Sequence, residues 1–310
     1  MNNQSNTIRN TQFNNKSDTQ KYLVSSGFNT NIFERYLSIH MWYEGRGNNV
    51  DIGKARMKMT ILISVRFNLV SPTILVELYG ISLRQAKEHL NKLVKQKLLQ
   101  RIATHRSLDG CVYICDRQGA NWAEEYMSVS VPFKRYKHPE MAINQNNIMH
   151  DIINAYLMLR LIHETSQADN SYYLYRGLIS EVEIKRHLAT TNIRIADGLL
   201  VQPTNEGDIN IALEVEHAYK NTQYKEKILL RQLNGIKSGV FDKIFIASQK
   251  HEILEDIKRT NIELLETMPS RYNKKTRQSL ITESDAELLR NAIVYRTKYC
   301  DDLRRIFYSR

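Results

Sequence analysis

Residues 192–220 read NIRIADGLLVQPTNEGDINIALEVEHAYK. Two aliphatic runs, NIRIADGLLV and INIALEVEH, flank PTNEGD, a turn by composition, so the stretch reads as two sequential strands. In INIALEVE a period of two puts Ile209, Ile211, Leu213 and Val215 on one face and Ala212, Glu214 and Glu216 on the other. The two carboxylates point the same way, about 7 Å apart at Cα. In the first strand Ile195, Asp197 and Leu199 share a face. A carboxylate among apolar neighbours needs a partner when buried, and a cation is one. If Asp197 and Glu214 meet across the hairpin, they and Glu216 form an oxygen-ligand site suited to Mg²⁺ or Mn²⁺. The long turn leaves the register open. Lys220 then orients the nucleophile or stabilises the charge that develops in metal-assisted phosphodiester cleavage. Tyr224, Lys225 and Lys227 follow on a helical pattern, NTQYKEKILLRQLNGIK, and would line a phosphate path. The plainer alternative makes Glu214 and Glu216 solvent-facing residues of an edge strand and Lys220 a helix-surface charge. The set of four, in two sequential strands, weighs towards catalysis.

Around this hairpin, residues 149–270 read as mixed α/β. HDIINAYLMLRLIHETS has helical spacing, and SYYLYRGLISEVEIKR looks extended. DKIFIASQ is a buried strand, HEILEDIKRT a helix and IELLE a short strand. Residues 271–310 close the chain with SDAELLRNAIVYRTKYCDDLRRIFYSR, which reads as a basic terminal helix.

Residues 55–126 follow another pattern. KMTILISVRFNLV and SPTILVELYG are helical, the second opened by Ser-Pro and closed by Gly80. In SLRQAKEHLNKLVKQKLL, Ser82 is an N-cap and Leu83, Ala86, Leu90, Leu93 and Leu98 form an apolar stripe. LQRIATHR and CVYICD flank the Asp-Gly turn of SLDG and make a hairpin. Three helices and a hairpin give a winged helix-turn-helix. Its third helix would turn Arg84, Gln85, Lys87, His89, Lys92 and Lys95 towards the major groove, with His105 and Arg106 at the hairpin tip. Residues 1–20, poor in aliphatics, read as a disordered tail. Residues 21–54 form a helical lead-in ending in the loop-like EGRGNN, and 127–148, with two prolines, a linker.

The totals agree with a nucleic-acid partner. The chain has 310 residues, with 44 Lys and Arg against 33 Asp and Glu, and a net charge of +11. That balance favours a polyanion. No apolar run approaches the ~20 residues of a spanning helix, and no signal peptide opens the chain, so a cytoplasmic protein is expected. Cys111, Cys115 and Cys300 lack zinc-site spacing and read as core thiols. No RRM-type or GXXG signature points to RNA.

The order strand with Asp, hairpin, strand with Glu-x-acid, Lys and helix resembles the PD-(D/E)XK nuclease superfamily. More narrowly, EVEHAYK followed by QYKEKI is similar to the Glu-x-Glu-x-Thr-x-Lys motif of MOBC-class conjugative relaxases, which resemble replication-relaxation proteins. His150–Asp151 opening a helix, and SEVEI around Glu181, resemble further segments of that class. The resemblance covers roughly residues 55–265. It implies a relaxase that binds double-stranded DNA at the origin of transfer of a plasmid or integrative element, nicks one strand and then holds single-stranded DNA, working with relaxosome accessory and coupling proteins. It makes Asp197, Glu214 and Glu216 metal ligands and Lys220 the assisting amine, with His150, Asp151 and Glu181 in support. The sequence departs from the pattern at Ala196, where Pro is usual, at Glu216, where Lys is usual, and at Ala218, where Thr is common. The catalytic lysine is therefore Lys220, Lys225 or Lys227. A lapsed nuclease fold serving a non-catalytic replication or transfer accessory protein, or a regulator, is the alternative. Tyr224 is a candidate for covalent attachment to DNA by its place in the sequence alone.

Overall fold

Local signals set the first helices of the computed structural model, which describes residues 30–131, 133, 138–164, 173–188, 192–272, 277 and 279–308. The expected tail 1–20 lies outside the described residues. After α1 (Thr30–Leu37) comes α2 (Asn49–Arg66). α2 begins inside the segment expected to be a loop and crosses the expected boundary at residue 55. Asn48 is the reason: its side chain accepts from the Val50 and Asp51 amides while the Asp51 carboxylate accepts from Asn48 N, a reciprocal cap. α3 (Pro72–Tyr79) is capped by Ser71 and closed by Gly80 at φ +62°, the left-handed turn that favours glycine. α4 (Leu83–Lys95) starts at the expected Ser82 cap. β1 (Leu99–Ala103) and β2 (Cys111–Cys115) pair antiparallel, Leu99 opposite Cys115. α5 (Arg117–Met127) follows.

The second half runs α6 (Ile148–Ile162), β3 (Gly177–Ser180), α7 (Glu181–His187), β4 (Gly198–Thr204), β5 (Gly207–Glu216), α8 (Thr222–Lys237), β6 (Lys243–Ser248), α9 (His251–Thr267), α10 (Glu283–Ala292), β7 (Ile293–Tyr295) and α11 (Cys300–Phe307). The fold is mixed α/β. One mixed sheet has the order β3-β4-β5-β6-β7. β3, β4 and β5 are antiparallel neighbours; β5, β6 and β7 are parallel. Parallel pairing needs crossovers, which α8 supplies between β5 and β6, and α9 with α10 between β6 and β7.

Four expectations need correcting. SEVEI is not extended: the strand stops at Ser180, whose hydroxyl accepts from Glu183 N while the Glu183 carboxylate accepts from Ser180 N. That capping box starts α7. IELLE is not a strand. It is the last part of α9, with Leu264 and Leu265 buried and Ile262 exposed. The terminal helix is interrupted, because Ile293–Tyr295 find backbone partners on β6 and a 3-10 turn at Thr297–Tyr299 precedes the last helix. The first strand of the acidic hairpin begins only at Gly198, so Asp197 sits one residue before it.

One apolar core joins the halves, from Leu62 and Leu75 through Ile153 and Leu157 to Leu200 and Leu213. At its centre Arg66, the last residue of α2, is buried and bidentate on Glu183 of α7 (2.6 and 2.9 Å), and also donates to Leu178 O at 2.6 Å. The lead-in acts as a brace. Trp42 Nε1 donates to Ile162 O at 2.8 Å, and Tyr43 N to His163 Nε2 at 2.9 Å. α1 lies so close to β3 that a Cβ on Gly177 would stand 2.5 Å from Leu37 O. Among the described residues no helix is long and apolar enough to cross a membrane.

Candidate functional site

β5 is the middle strand of the sheet, not an edge, and this decides the environment of its carboxylates. Glu214 is 2% exposed, Glu216 7% and Asp197 4%, so the solvent-facing alternative does not hold. Buried carboxylates need partners, and each has one. Asp197 Oδ2 accepts from Val215 N at 2.6 Å, and Oδ1 lies 3.3 Å from His150 Nε2. Asn154 Nδ2 fixes the Asp197 carbonyl at 2.7 Å. Glu216 Oε1 takes Lys220 Nζ at 2.5 Å. Glu214 is chelated by Arg194: Nε lies 2.9 and 3.1 Å from its two oxygens, and Nη2 2.7 Å from Oε2. The four expected residues lie at one end of the sheet, with His150, also expected there, on Asp197 and Arg194, which sequence reasoning missed, on Glu214; their carboxylates do not group as three donors within 4.8 Å among the described residues.

The missed residue is Arg194. Its one sequence signal is a cation three residues before Asp197, flanked by Ile193 and Ile195. Burial works against its charge, but Glu214, with Asp197 and Glu216 behind it, raises its pKa. Burial pushes the Glu214 carboxyl up to about 7, against the pull of the guanidinium. Asp197 is held below the usual carboxylate range: burial opposes this, and the His150 contact and the Val215 amide outweigh it. His150 in turn rises to about 9 despite burial, through Asp197 first and then Asp151 and Glu181. His217 was also missed. Its ring stands edge-on to His150, centroids 5.1 Å apart, and among the described residues neither of its buried ring nitrogens has a hydrogen-bond partner. Burial and the neighbouring His150 push it down to about 4.

His150, Asp151 and Glu181 come together on α6 and α7, with one donor atom from each within 4.8 Å of the others. They are half-buried, and burial raises Asp151 to about 6. Lys185 pairs with Glu181 at 2.5 Å. One nitrogen and two oxygens are a donor set for a divalent ion, better matched to Mn²⁺ than to Mg²⁺. The carboxylates of Asp197, Glu214 and Glu216 are hard oxygen donors of the kind both ions take. Beside Glu214 and Glu216, and also lined by Lys220, Lys225 and Gln232, the cleft has an interior of about 20 Å³, room for one water-sized body.

The lysines after the strand part company. Lys225 does not face a phosphate path. It is buried, with Nζ 2.5 Å from Asp256 Oδ2 and 2.9 Å from Thr260 Oγ1, and ties α8 to α9. Lys227 and Tyr224 are exposed, and Lys220 Nζ lies 5.5 Å from the Tyr224 ring centroid.

On α4, Lys92 and Lys95 are exposed and Lys87 is half-buried. Lys87 borders a recess of about 320 Å³ between α4 and the β1–β2 hairpin, together with Asn91, Arg101, Asp109, Cys111 and Tyr113. Arg84 is exposed but paired with Glu88 at 2.8 Å. Gln85 is exposed but serves the cap, accepting from Ser82 N at 3.0 Å. His89 does not face outward. Its Nε2 is 3.0 Å from Thr60 Oγ1 and its ring stands edge-on to Tyr79; burial, then Arg56 and Lys92, push it down to about 4. His105 and Arg106 are exposed at the hairpin turn, where Asp109 Oδ2 accepts from Thr73 N and Oγ1 at 3.0 and 2.9 Å and so caps α3. The three cysteines are free thiols, two buried and one half-buried. Compared with protein-family models, curated proteins and solved structures, the chain matches none of them.

Proposed function

We propose that this chain is a metal-dependent, site-specific DNA-nicking enzyme of the conjugative-relaxase kind. It is built from a winged helix-turn-helix (α2–α4 with β1–β2) and a PD-(D/E)XK-like α/β half. The observation that carries the reading is the burial of Asp197, Glu214 and Glu216 at the end of adjacent strands, with Lys220 held on Glu216. Buried carboxylates are costly, and three of them, each held by its own cation, are kept where they do chemistry. The element order behind the resemblance supports it too: Asp197 precedes β4, a hairpin leads to β5 with Glu214 and Glu216, and Lys220 precedes α8.

Mg²⁺ or Mn²⁺ held by these carboxylates, with His150, Asp151 and Glu181 in support, would polarise a phosphoryl oxygen and activate the attacking group. The chain's own residues do the rest. His150 fixes the orientation of Asp197. Glu216 positions the Lys220 ammonium, the best placed of the three candidate lysines, to neutralise charge on the phosphate. Lys92, Lys95, His105 and Arg106 hold double-stranded DNA by its phosphates, and Lys227 and Tyr224 extend the surface beside Lys220. Single-stranded DNA after the nick, and relaxosome and coupling proteins, are the partners this reading implies. The test is supercoiled plasmid carrying the origin of transfer, incubated with Mg²⁺ or Mn²⁺. Wild type yields open circles, and Glu214→Ala and Lys220→Ala do not. Equal nicking by both variants refutes the assignment.

One observation favours the second reading, a non-catalytic DNA-binding accessory protein. Arg194 already donates to both oxygens of Glu214. On that reading no metal yields a nick, and Asp197→Asn leaves salt-sensitive DNA binding intact.

A further inference from the structure

Beyond the ends of β5 and β6 lies an open recess of about 290 Å³, lined by Tyr219, Gln249, Lys250, Glu252, Arg304 and Tyr308. We infer that it seats single-stranded nucleic acid, with bases stacked on Tyr219 and Tyr308 and phosphates held by Lys250 and Arg304. This rests on the DNA-nicking reading for the origin of the strand, and it gives that strand a place on the protein.

The position is set by the sheet. β5 and β6 are parallel and stop level with each other, Glu216 opposite Ser248. Ligands of open α/β sheets gather outside the carboxyl ends of such strands. Tyr219 follows three residues after Glu216 and directly precedes Lys220. Gln249 is buried, and its Nε2 donates to His217 O at 3.1 Å, so the floor of the recess is fixed to the residue after Glu216. α11 supplies Arg304 and, just past its end, Tyr308. The recess and the Lys220 amine are therefore neighbours.

The aromatic faces in it are bare. Tyr219 is 63% exposed and Tyr308 43%. Exposed tyrosines elsewhere are partly covered: Lys58 Nζ lies 4.4 Å from the centroid of Tyr126, and Tyr173 packs on Trp42 with centroids 5.3 Å apart. Among the described residues no ring or cation covers Tyr219 or Tyr308, and no carboxylate pairs with Lys250. Lys250 and Arg304 are both exposed, against the single carboxylate of Glu252, so the lining is net positive. Aromatic faces interleaved with cations are what an unpaired strand requires: every base has a π-face to stack, and the cations follow the backbone. A duplex keeps its base faces covered by their neighbours and cannot enter a recess of this size, whereas a splayed single strand presents them.

The test is fluorescence anisotropy of the full chain with a short labelled oligothymidine, without divalent metal, beside a short duplex. Tyr219→Ala and Tyr308→Ala each weaken oligothymidine binding about tenfold and leave duplex affinity within about twofold. Tyr219→Phe, which keeps the ring, binds as wild type does. Lys250→Gln reduces the salt dependence of oligothymidine binding by about one phosphate contact. Tyr219, the more exposed of the two, serves alone if the Tyr308 variant does not fold. The inference is overturned if the alanine variants hold oligothymidine as tightly as wild type, or if their duplex affinity falls in step. It is equally overturned if wild type binds no oligothymidine, which would leave the recess as a face for a protein. Nicking is measured separately. A wild type that nicks, with tyrosine variants unchanged in oligothymidine affinity, refutes the recess and spares the enzyme. A wild type that holds oligothymidine through its tyrosines but nicks nothing refutes the enzyme and supports the recess.

Discussion

The α4 face and the acidic end of β5 both concentrate charge, and they treat it in opposite ways. Lys92 and Lys95 stand in solvent, and among the described residues neither enters an ion pair. At the end of β5 every carboxylate is buried and matched to a named cation. Two histidines sharpen the contrast. His89, packed on Thr60 and Tyr79, stays neutral to about pH 4; His150, on Asp197, holds its proton to about pH 9. Exposed charge is hydrated, screened and available to any polyanion. Buried charge is fixed in pairs, and changing one member forces the others to change. The first region leaves its charge open to a polyanion, and the second holds each charge against its own partner.

The harshest way to break this contrast is at the ion pair between the halves. Arg66→Ala leaves Glu183 buried and unpaired. It should cost about 3–5 kcal/mol in urea denaturation, and a loss below about 1 kcal/mol would mean the halves are held by apolar packing alone. Next come the two regions themselves. Asp197→Asn should lower nicking at least a hundredfold while leaving duplex affinity within about twofold. The double change Lys92→Ala with Lys95→Ala should reduce the salt dependence of duplex binding by about two phosphate contacts and leave nicking of bound DNA unchanged. If the two sets of variants behaved alike, the division of labour would be wrong.

The histidines give a smaller, pH-dependent signature. His150 has a folded-state pKa above its ordinary value. Its contribution is therefore complete below about pH 6.5 and is lost as pH rises through about 9. His89 is depressed, so its stability falls as pH drops from about 6.5 towards 4, where the unfolded chain binds a proton and the folded chain does not. Urea midpoints measured against pH should fall on both sides, with His150→Gln flattening the alkaline limb and His89→Gln the acid limb. The smallest contrast lies within α8. Lys225→Ala removes the tie from α8 to Asp256 and Thr260 on α9, leaving Asp256 to Arg259, and should cost about 1–3 kcal/mol. Lys227→Ala should stay within about 0.5 kcal/mol. Equal costs would erase the distinction between the two lysines.

Much of the site was legible because alternation is a local rule. Glu214 and Glu216 share a face by a period of two, and Lys220 follows at fixed distance. Arg194 and His217 were not legible, because no local rule says which side chain will fill the space beside a buried carboxylate. His89 shows the same limit. Helical spacing turned it outward with Lys87 and Lys92, and Thr60 and Tyr79, on two other helices, drew it inward.

By itself the sequence determined what depends on a few consecutive residues: the caps at Ser71 and Ser82, the turn at Gly80, the Asp-Gly hairpin, and the faces of β5. Those follow from backbone sterics and near-neighbour hydrogen bonds, which act over one or two turns of chain. Tertiary structure decided that β5 lies at the centre of its sheet, that Ile293–Tyr295 become a strand, and which cation sits on each carboxylate. Such outcomes depend on groups far apart in sequence meeting where water is excluded, and there the cost of an unpaired charge selects the partner.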